Sequence, residues 1–314
     1  MVTKIQSCDS LKNSTNELGS EYLLNPTSLY YSRKKGWIQT MKRQKRIAVI
    51  NDATGFGRCS IAVALPIISA MKIQCCPLPT AILSAHTAFP DFFLKDFTPY
   101  MRQYMEHWKS QNLEFDGITS GFLGSKEQIA EVIHFFEMFK TKDNLILVDP
   151  VMGDYGKLYS SYTEEMCDEM KKLVPYADIL TPNLTEACRL LDIPYEEADL
   201  SDQGLFDICQ KLSDMGPEKV VITGLQKEEK IITFLYEKES GVQKIVVDKI
   251  GKDRSGTGDV FTSVLFADII NGNDFYSAVQ KAVDFISKTI RFTSDIDTPE
   301  HYGLCFEEFL TELK

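Results

Sequence analysis

The chain predicts an α/β fold, a three-layer α/β/α sandwich built on a mostly parallel central sheet. Two observations carry this. Short β-rich runs alternate with helix-period stretches from residue 46 onward, the pattern of a parallel sheet covered by helices on both faces. Polar clusters also recur just after these runs, where open α/β sheets place their ligands.

In order, the strand candidates are 46–50, 73–78, 117–119, 145–148, 178–180 and 219–223. Helical periodicity falls between them, near 60–71, 97–110, 126–140, 163–174, 185–191 and 202–215. The rhythm then changes: 231–236 and 244–248, joined across Lys238-Glu239-Ser240-Gly241, predict an antiparallel hairpin. Two long helices follow, 259–270 and 274–292, the first stopping at Asn271-Gly272, and a short one lies near 304–313. No repeat or low-complexity linker divides the chain, so residues 45–314 are expected to form one domain.

Composition is that of a soluble globular protein, 44% hydrophobic and 25% charged, with no apolar stretch of membrane-spanning length. The net charge is −11, yet residues 1–46 hold nine Lys/Arg against three acids, which leaves the rest near −17. A nucleic-acid surface on the main body is therefore not expected. The basic leader lacks the apolar core of an export signal, since 22–24 is cut by Asn25-Pro26. Residues 1–44 read as a poorly ordered extension, with Met41 as an alternative start. The eight scattered cysteines and four dispersed histidines suit reduced thiols without a zinc site, and a cytosolic location.

The chemistry-bearing motifs each have an ordinary structural alternative. In RSGTGDVFTS, Gly256-Thr257-Gly258 form a turn opening a helix, whose free N–H groups and dipole favour an anion. Asp259 there either complements the dipole or takes a proton from a hydroxyl that attacks a phosphate. DPVMGD offers Asp149 and Asp154 at a strand exit, or simply turn-forming residues. In TPNLTEA, Asn183 and Glu186 have capping-box spacing. Asp149 and Glu186 end neighbouring strand units, so together they could hold Mg²⁺ directly or through its waters. Thr223-Gly224 could reach a terminal phosphate or merely form a turn. NDATGFGRCS is not a dinucleotide fingerprint, because Ser60 occupies the third glycine position and no acid follows at ribose-binding distance. A P-loop string is absent from the sequence.

Taken in order, NDATGFGRCS, SAHT, SGFLGS, DPVMGD, TPNLTEA, VVITG and GTGD resemble the ribokinase-like superfamily, and within it the pyridoxal/pyridoxamine kinases, over roughly residues 46–292. The resemblance implies Mg²⁺- and ATP-dependent phosphorylation of a hydroxymethyl group, as in vitamin B6 salvage. Asp259 matches the general base, and Gly256, Thr257 and Gly258 the anion hole. Asn183, Thr223, Gly224 and Thr257 match phosphate contacts, and Asp149 and Glu186 the metal-organising pair, with Asp154 near the metal or substrate side. Asn51, Leu83, His86, Thr87 and Phe122 match the vitamin pocket. A homodimer is implied as well. The spacing from 50 to 83 leaves no room for the β lid of sugar kinases. Hydroxymethylpyrimidine kinases usually carry Cys where Asp259 stands, which favours the pyridoxal branch, although Asn51-Asp52 and SAHT replace the Ser-His and SNHT of many pyridoxal kinases. Two alternatives stand beside this reading: a hydroxymethylpyrimidine kinase, and a non-catalytic ligand-binding protein on the same scaffold.

Overall fold

The computed structural model describes residues 43–314 and, ahead of them, two short strands, β1 (Arg33–Lys34) and β2 (Trp37–Ile38), paired antiparallel. The expectation of a poorly ordered 1–44 lies almost entirely outside the described residues.

Residues 44–314 form one compact unit. It runs β3 (Arg46–Phe56), α1 (Ser60–Ala70), β4 (Gln74–Ala85), β5 (Leu94–Asp96), α2 (Thr98–Ser110), β6 (Gly117–Ser120), α3 (Lys126–Phe139) and β7 (Leu145–Val148). After a small hairpin, β8 (Gly153–Asp154) and β9 (Lys157–Leu158), come α4 (Glu164–Met170), β10 (Ile179–Leu180), α5 (Leu184–Leu190) and α6 (Asp202–Asp214). The chain closes with β11 (Lys219–Lys227), β12 (Lys230–Glu237), β13 (Gly241–Asp248), α7 (Thr257–Asn271) and α8 (Phe275–Asp295).

One sheet has the order β13-β12-β11-β10-β7-β6-β3-β4-β5. The strands from β11 across to β4 are parallel, while β12, β13 and β5 join antiparallel at the two edges. The apolar runs behind the central strands follow from burial on both faces. In β3, Ile47 and Val49 point into a core shared with α1, α7 and α8, while Ala48 and Ile50 point into the opposite core with α2 to α6. That two-sided packing is the α/β/α sandwich the alternation predicts.

Several boundaries differ from expectation. Asn51 and Asp52 do not follow the first strand but lie inside it: β3 crosses a register shift between Asn51 and Ala53 and pairs on through Ala53↔Ile82, Thr54↔Leu83 and Phe56↔Ala85. β4 therefore also runs past its expected end, and β5 adds Leu83↔Leu94. Thr223 and Gly224 likewise sit within β11, at the shift between Ile222 and Leu225, with Gly224 at φ 69°. Thr257 and Gly258 already belong to α7, and the last expected helix is 3-10 in form, Glu307–Leu313.

Candidate active site

The parallel strands end at one edge of the sheet, and the loops leaving them enclose a cleft of about 970 Å³. Its wall takes in Asp149, Asp154, Asn183, Glu186, Thr223, Gly224 and the whole Gly256–Asp259 stretch. Of the polar clusters that follow the strand candidates, Asp149, Thr181, Asn183, Thr223 and Gly224 line this cleft, whereas Asn51, Ser120 and Gly121 line a separate small void.

The N-terminus of α7 is open. Gly256 caps it at φ 76°, and a Cβ there would lie 1.8 Å from the Arg58 carbonyl oxygen, so only glycine fits. No side chain caps the helix; Thr257 Oγ1 instead donates back to the Arg254 carbonyl at 2.8 Å. The N–H groups of the first turn therefore have no intrahelical partner. A Cβ built at Gly258 would meet nothing within 4 Å, so the space in front of this turn is clear.

Asp259 is half-buried in that first turn. Burial raises its carboxyl from the ordinary 3.8 to about 6; the Ser60 N–H and the Asn51 amide oppose the shift, and the charge of Asp52 adds to it. Asn51 Nδ2 donates to Asp259 Oδ1 at 3.2 Å, while Asn51 Oδ1 accepts the Phe122 and Asp52 N–H groups, each at 3.0 Å. Asn51 is thereby locked in place and tied to the 121–122 turn. Beneath it, buried Asp52 accepts Ser60 Oγ at 2.5 Å and Thr54 Oγ1 at 2.6 Å. Ser60 holds φ 54°, a left-handed conformation unfavourable for a side-chain-bearing residue. The bond to Asp52 sustains that conformation, and the Ser60 N–H is then aimed at Asp259.

Across the cleft, Asp149 follows β7 and Glu186 lies in the first turn of α5, which follows the neighbouring strand β10. Burial pushes the Asp149 carboxyl well above the carboxylate range, and the charge of Asp259 adds to this. Glu186 is raised for the same reason, with Asp149 adding. The capping box forms as its spacing predicts: Glu186 Oε2 accepts the Asn183 N–H at 2.8 Å, and Asn183 Oδ1 accepts the Glu186 N–H at 3.0 Å. Glu186 Oε1 accepts the Met152 N–H at 3.2 Å, and Asn183 Nδ2 donates to the Gly153 carbonyl at 2.8 Å. Capping and site placement are therefore one arrangement, not alternatives. Asp154 is raised too, chiefly by burial, with its bond from the Tyr155 N–H opposing and Asp253 adding. Carboxylates that repel one another in a common cleft suit a cation. Among the described residues no three His, Cys, Asp or Glu side chains converge as a cage. Asp149 and Glu186 are oxygen donors of the kind a hard cation such as Mg²⁺ takes.

The residues expected on the vitamin side are dispersed. Asn51 lies under Asp259, in a small void shared with Asp149 and Ser120. Leu83 is buried in β4 opposite Thr54 and Leu94, and Thr87 is exposed. His86 Nε2 lies 2.6 Å from the His301 carbonyl, its Nδ1 accepts the Ala88 N–H, and its ring meets Phe89 edge-on. This histidine ties the end of β4 to the 300–302 turn. Phe122 packs edge-on against Tyr162. None of Leu83, His86, Thr87 and Phe122 is part of the 970 Å³ cleft wall. Sequence reasoning missed Asp52 and Ser60 as a bracing pair. It also missed Tyr155, whose hydroxyl donates to Asp253 and links the β8–β9 hairpin to the loop before α7.

The sequence model of the phosphomethylpyrimidine kinase family matches residues 68–303. A pyridoxal kinase of Arabidopsis thaliana is 30% identical over 227 residues, 68% of this chain and 70% of that protein. The chain belongs to the pyridoxal kinase family of the ribokinase-like superfamily. Like other members of that family it is a phosphotransferase with an alcohol group as acceptor. A hydroxymethylpyrimidine/phosphomethylpyrimidine kinase of Aquifex aeolicus is 31% identical over 185 residues, 58% of this chain and 69% of that protein. A Bacteroides thetaiotaomicron protein assigned to the phosphomethylpyrimidine kinases, crystallised with pyridoxal, is 39% identical. It superposes with a TM-score of 0.83 over 86% of this chain and 96% of that one. The three-layer kinase fold expected from the motifs is thereby shown.

Proposed function

We propose that this kinase transfers the γ-phosphoryl group of ATP to the 5′-hydroxymethyl group of pyridoxal, pyridoxamine or pyridoxine. The observation that carries the reading is Asp259, half-buried beside the open first turn of α7 with its carboxyl raised to about 6. A base with that value is ionised at neutral pH yet still takes up a proton readily. Asp259 accepts the proton of the hydroxymethyl group as its oxygen bonds to the γ-phosphorus and the bond to the ADP oxygen breaks. The N–H groups of the α7 turn stabilise charge on the transferring group, and Asn51 holds Asp259 in position. Asn183 and Thr223, at the cleft wall, contact the donor phosphates. Mg²⁺, held by Asp149 and Glu186 directly or through its waters, would neutralise polyphosphate charge.

Support for a B6 vitamer comes from the Arabidopsis relative and from the pyridoxal-bound Bacteroides structure. The Aquifex relative and the matching family model support the second reading, a hydroxymethylpyrimidine kinase using the same machinery. Direct detection of the phosphate ester formed from each alcohol separates the two. The reading includes a cytosolic homodimer. Among the described residues no helix is long and apolar enough to cross a membrane. Exposed Ile82, Phe93 and Leu94 on the β4–β5 edge offer the apolar area a dimer needs. Light scattering that returns a monomer mass at micromolar concentration would remove the dimer from the reading.

A further inference from the structure

We propose that Arg254 is a phosphate-binding residue of the donor site, its guanidinium gripping the nucleotide polyphosphate from the loop just ahead of α7. This rests on the ATP-dependent reading above.

A polyphosphate entering this cleft meets Asp149, Asp154, Glu186 and Asp259, so cationic groups must offset repulsion between anions. Three long basic side chains reach the cleft wall: Lys249, Lys252 and Arg254. Lys252 is paired with Glu300 at 2.6 Å. Lys249 donates to Gln226 at 2.7 Å and lies 3.9 Å from Asp253. Arg254 differs: among the described residues it forms no salt bridge, and its Nη1 donates to the main-chain carbonyls of Thr298 at 2.7 Å and Pro299 at 3.4 Å. Neutral acceptors of this kind orient a guanidinium without cancelling its charge, and the Glu300 carboxylate that acts on Arg254 at longer range is itself paired with Lys252.

Two further observations point the same way. Arg254 Nε is buried without a partner, a donor the fold leaves unsatisfied. Arg254 is also coupled to the anion site, because Thr257 in the first turn of α7 donates to its carbonyl at 2.8 Å. The planar fork of arginine matches two phosphate oxygens at once, which an ammonium does not. The guanidinium and the α7 amide groups then act on one polyanion from adjoining residues.

The test is calorimetric titration of ADP and of adenosine into the wild-type protein, Arg254→Ala and Arg254→Lys. ADP affinity is expected to fall about 10–100-fold in Arg254→Ala and by less in Arg254→Lys, with adenosine affinity unchanged in both. Arg254→Lys, which keeps the positive charge but not the fork, keeps the question open to test if the alanine variant does not fold. ADP binding within twofold of wild type in Arg254→Ala would overturn the inference. So would equal weakening of ADP and adenosine, since Arg254 would then act only by pinning the 298–299 segment. A wild-type protein that binds neither ligand overturns the ATP reading itself, and this inference falls with it.

Discussion

Replacing Asp259 by asparagine should make the ligand-free protein more stable while removing its activity. Asn has the same shape, and its side-chain oxygen can still accept a hydrogen bond from Asn51. What it removes is a charge the fold resists. Raising the carboxyl from 3.8 to about 6 disfavours its ionised form in the folded state by at most about 3 kcal/mol. Asp259 is only half-buried, so solvent screening lowers the expected gain to about 1–3 kcal/mol. The sign follows from linkage: the native state prefers the neutral acid, so the penalty is complete above pH 6, shrinks below it and vanishes below 3.8. Denaturant unfolding at pH 8 should show the variant to be the more stable, and by pH 5 the gain should be about half as large. Turnover should fall about 10²–10⁴-fold. An asparagine variant that is less stable than wild type at pH 8, or that retains turnover within tenfold, refutes the burial argument or the base assignment respectively.

The same geometry makes other results expected. Log kcat/KM should fall with decreasing pH below an apparent pKa near 6 and level off above it, because Asp259 must be ionised to accept a proton; a profile flat from pH 5 to 8 contradicts this. Gly258→Ala should cost no stability, and could add about 0.5–1 kcal/mol in this helical position, yet lower activity as the methyl group enters the cleared anion space. Gly256→Ala, by contrast, should lower the unfolding midpoint through both its positive φ and its clash with the Arg58 carbonyl. Asn183→Ala should cost about 1–2 kcal/mol because the Glu186 N–H loses its side-chain acceptor, and should weaken ATP binding because the amide facing the phosphates is gone; unchanged unfolding would show that the cap is dispensable.

Much of this arrangement was legible in the sequence because its signals are local. The central strands are continuous apolar runs, and they occur where expected because both faces of each are buried. Asp149, Asn183 and Glu186 were found by short motifs at strand exits, and Gly256–Asp259 by a glycine turn that opens a helix. The outer halves of β3 and β4 were not, because Asn51, Asp52 and Gly55 carry turn chemistry and are held extended only by pairing with each other. β5 was hidden for a similar reason, as Leu94-Lys95-Asp96 is exposed throughout and is a strand only against β4. The roles of Ser60 and Arg254 escaped notice because their partners lie on other elements. Ser60 needs Asp52 on another element, and Arg254 needs carbonyls 44 and 45 residues away. His86 shows the converse: its motif was visible, but both ring nitrogens are engaged by local and C-terminal main chain.

The most direct test of the central claim is phosphate-ester formation by the purified protein with Mg²⁺ and ATP, in parallel reactions with pyridoxal, pyridoxamine, pyridoxine and hydroxymethylpyrimidine. The account predicts the highest kcat/KM on a B6 vitamer, with that product formed about 10²–10⁴-fold more slowly when Asp259→Asn replaces the wild-type enzyme. Higher kcat/KM on hydroxymethylpyrimidine would contradict the substrate assignment while leaving the phosphoryl-transfer site intact, and no ester from any of the four alcohols would contradict the account as a whole.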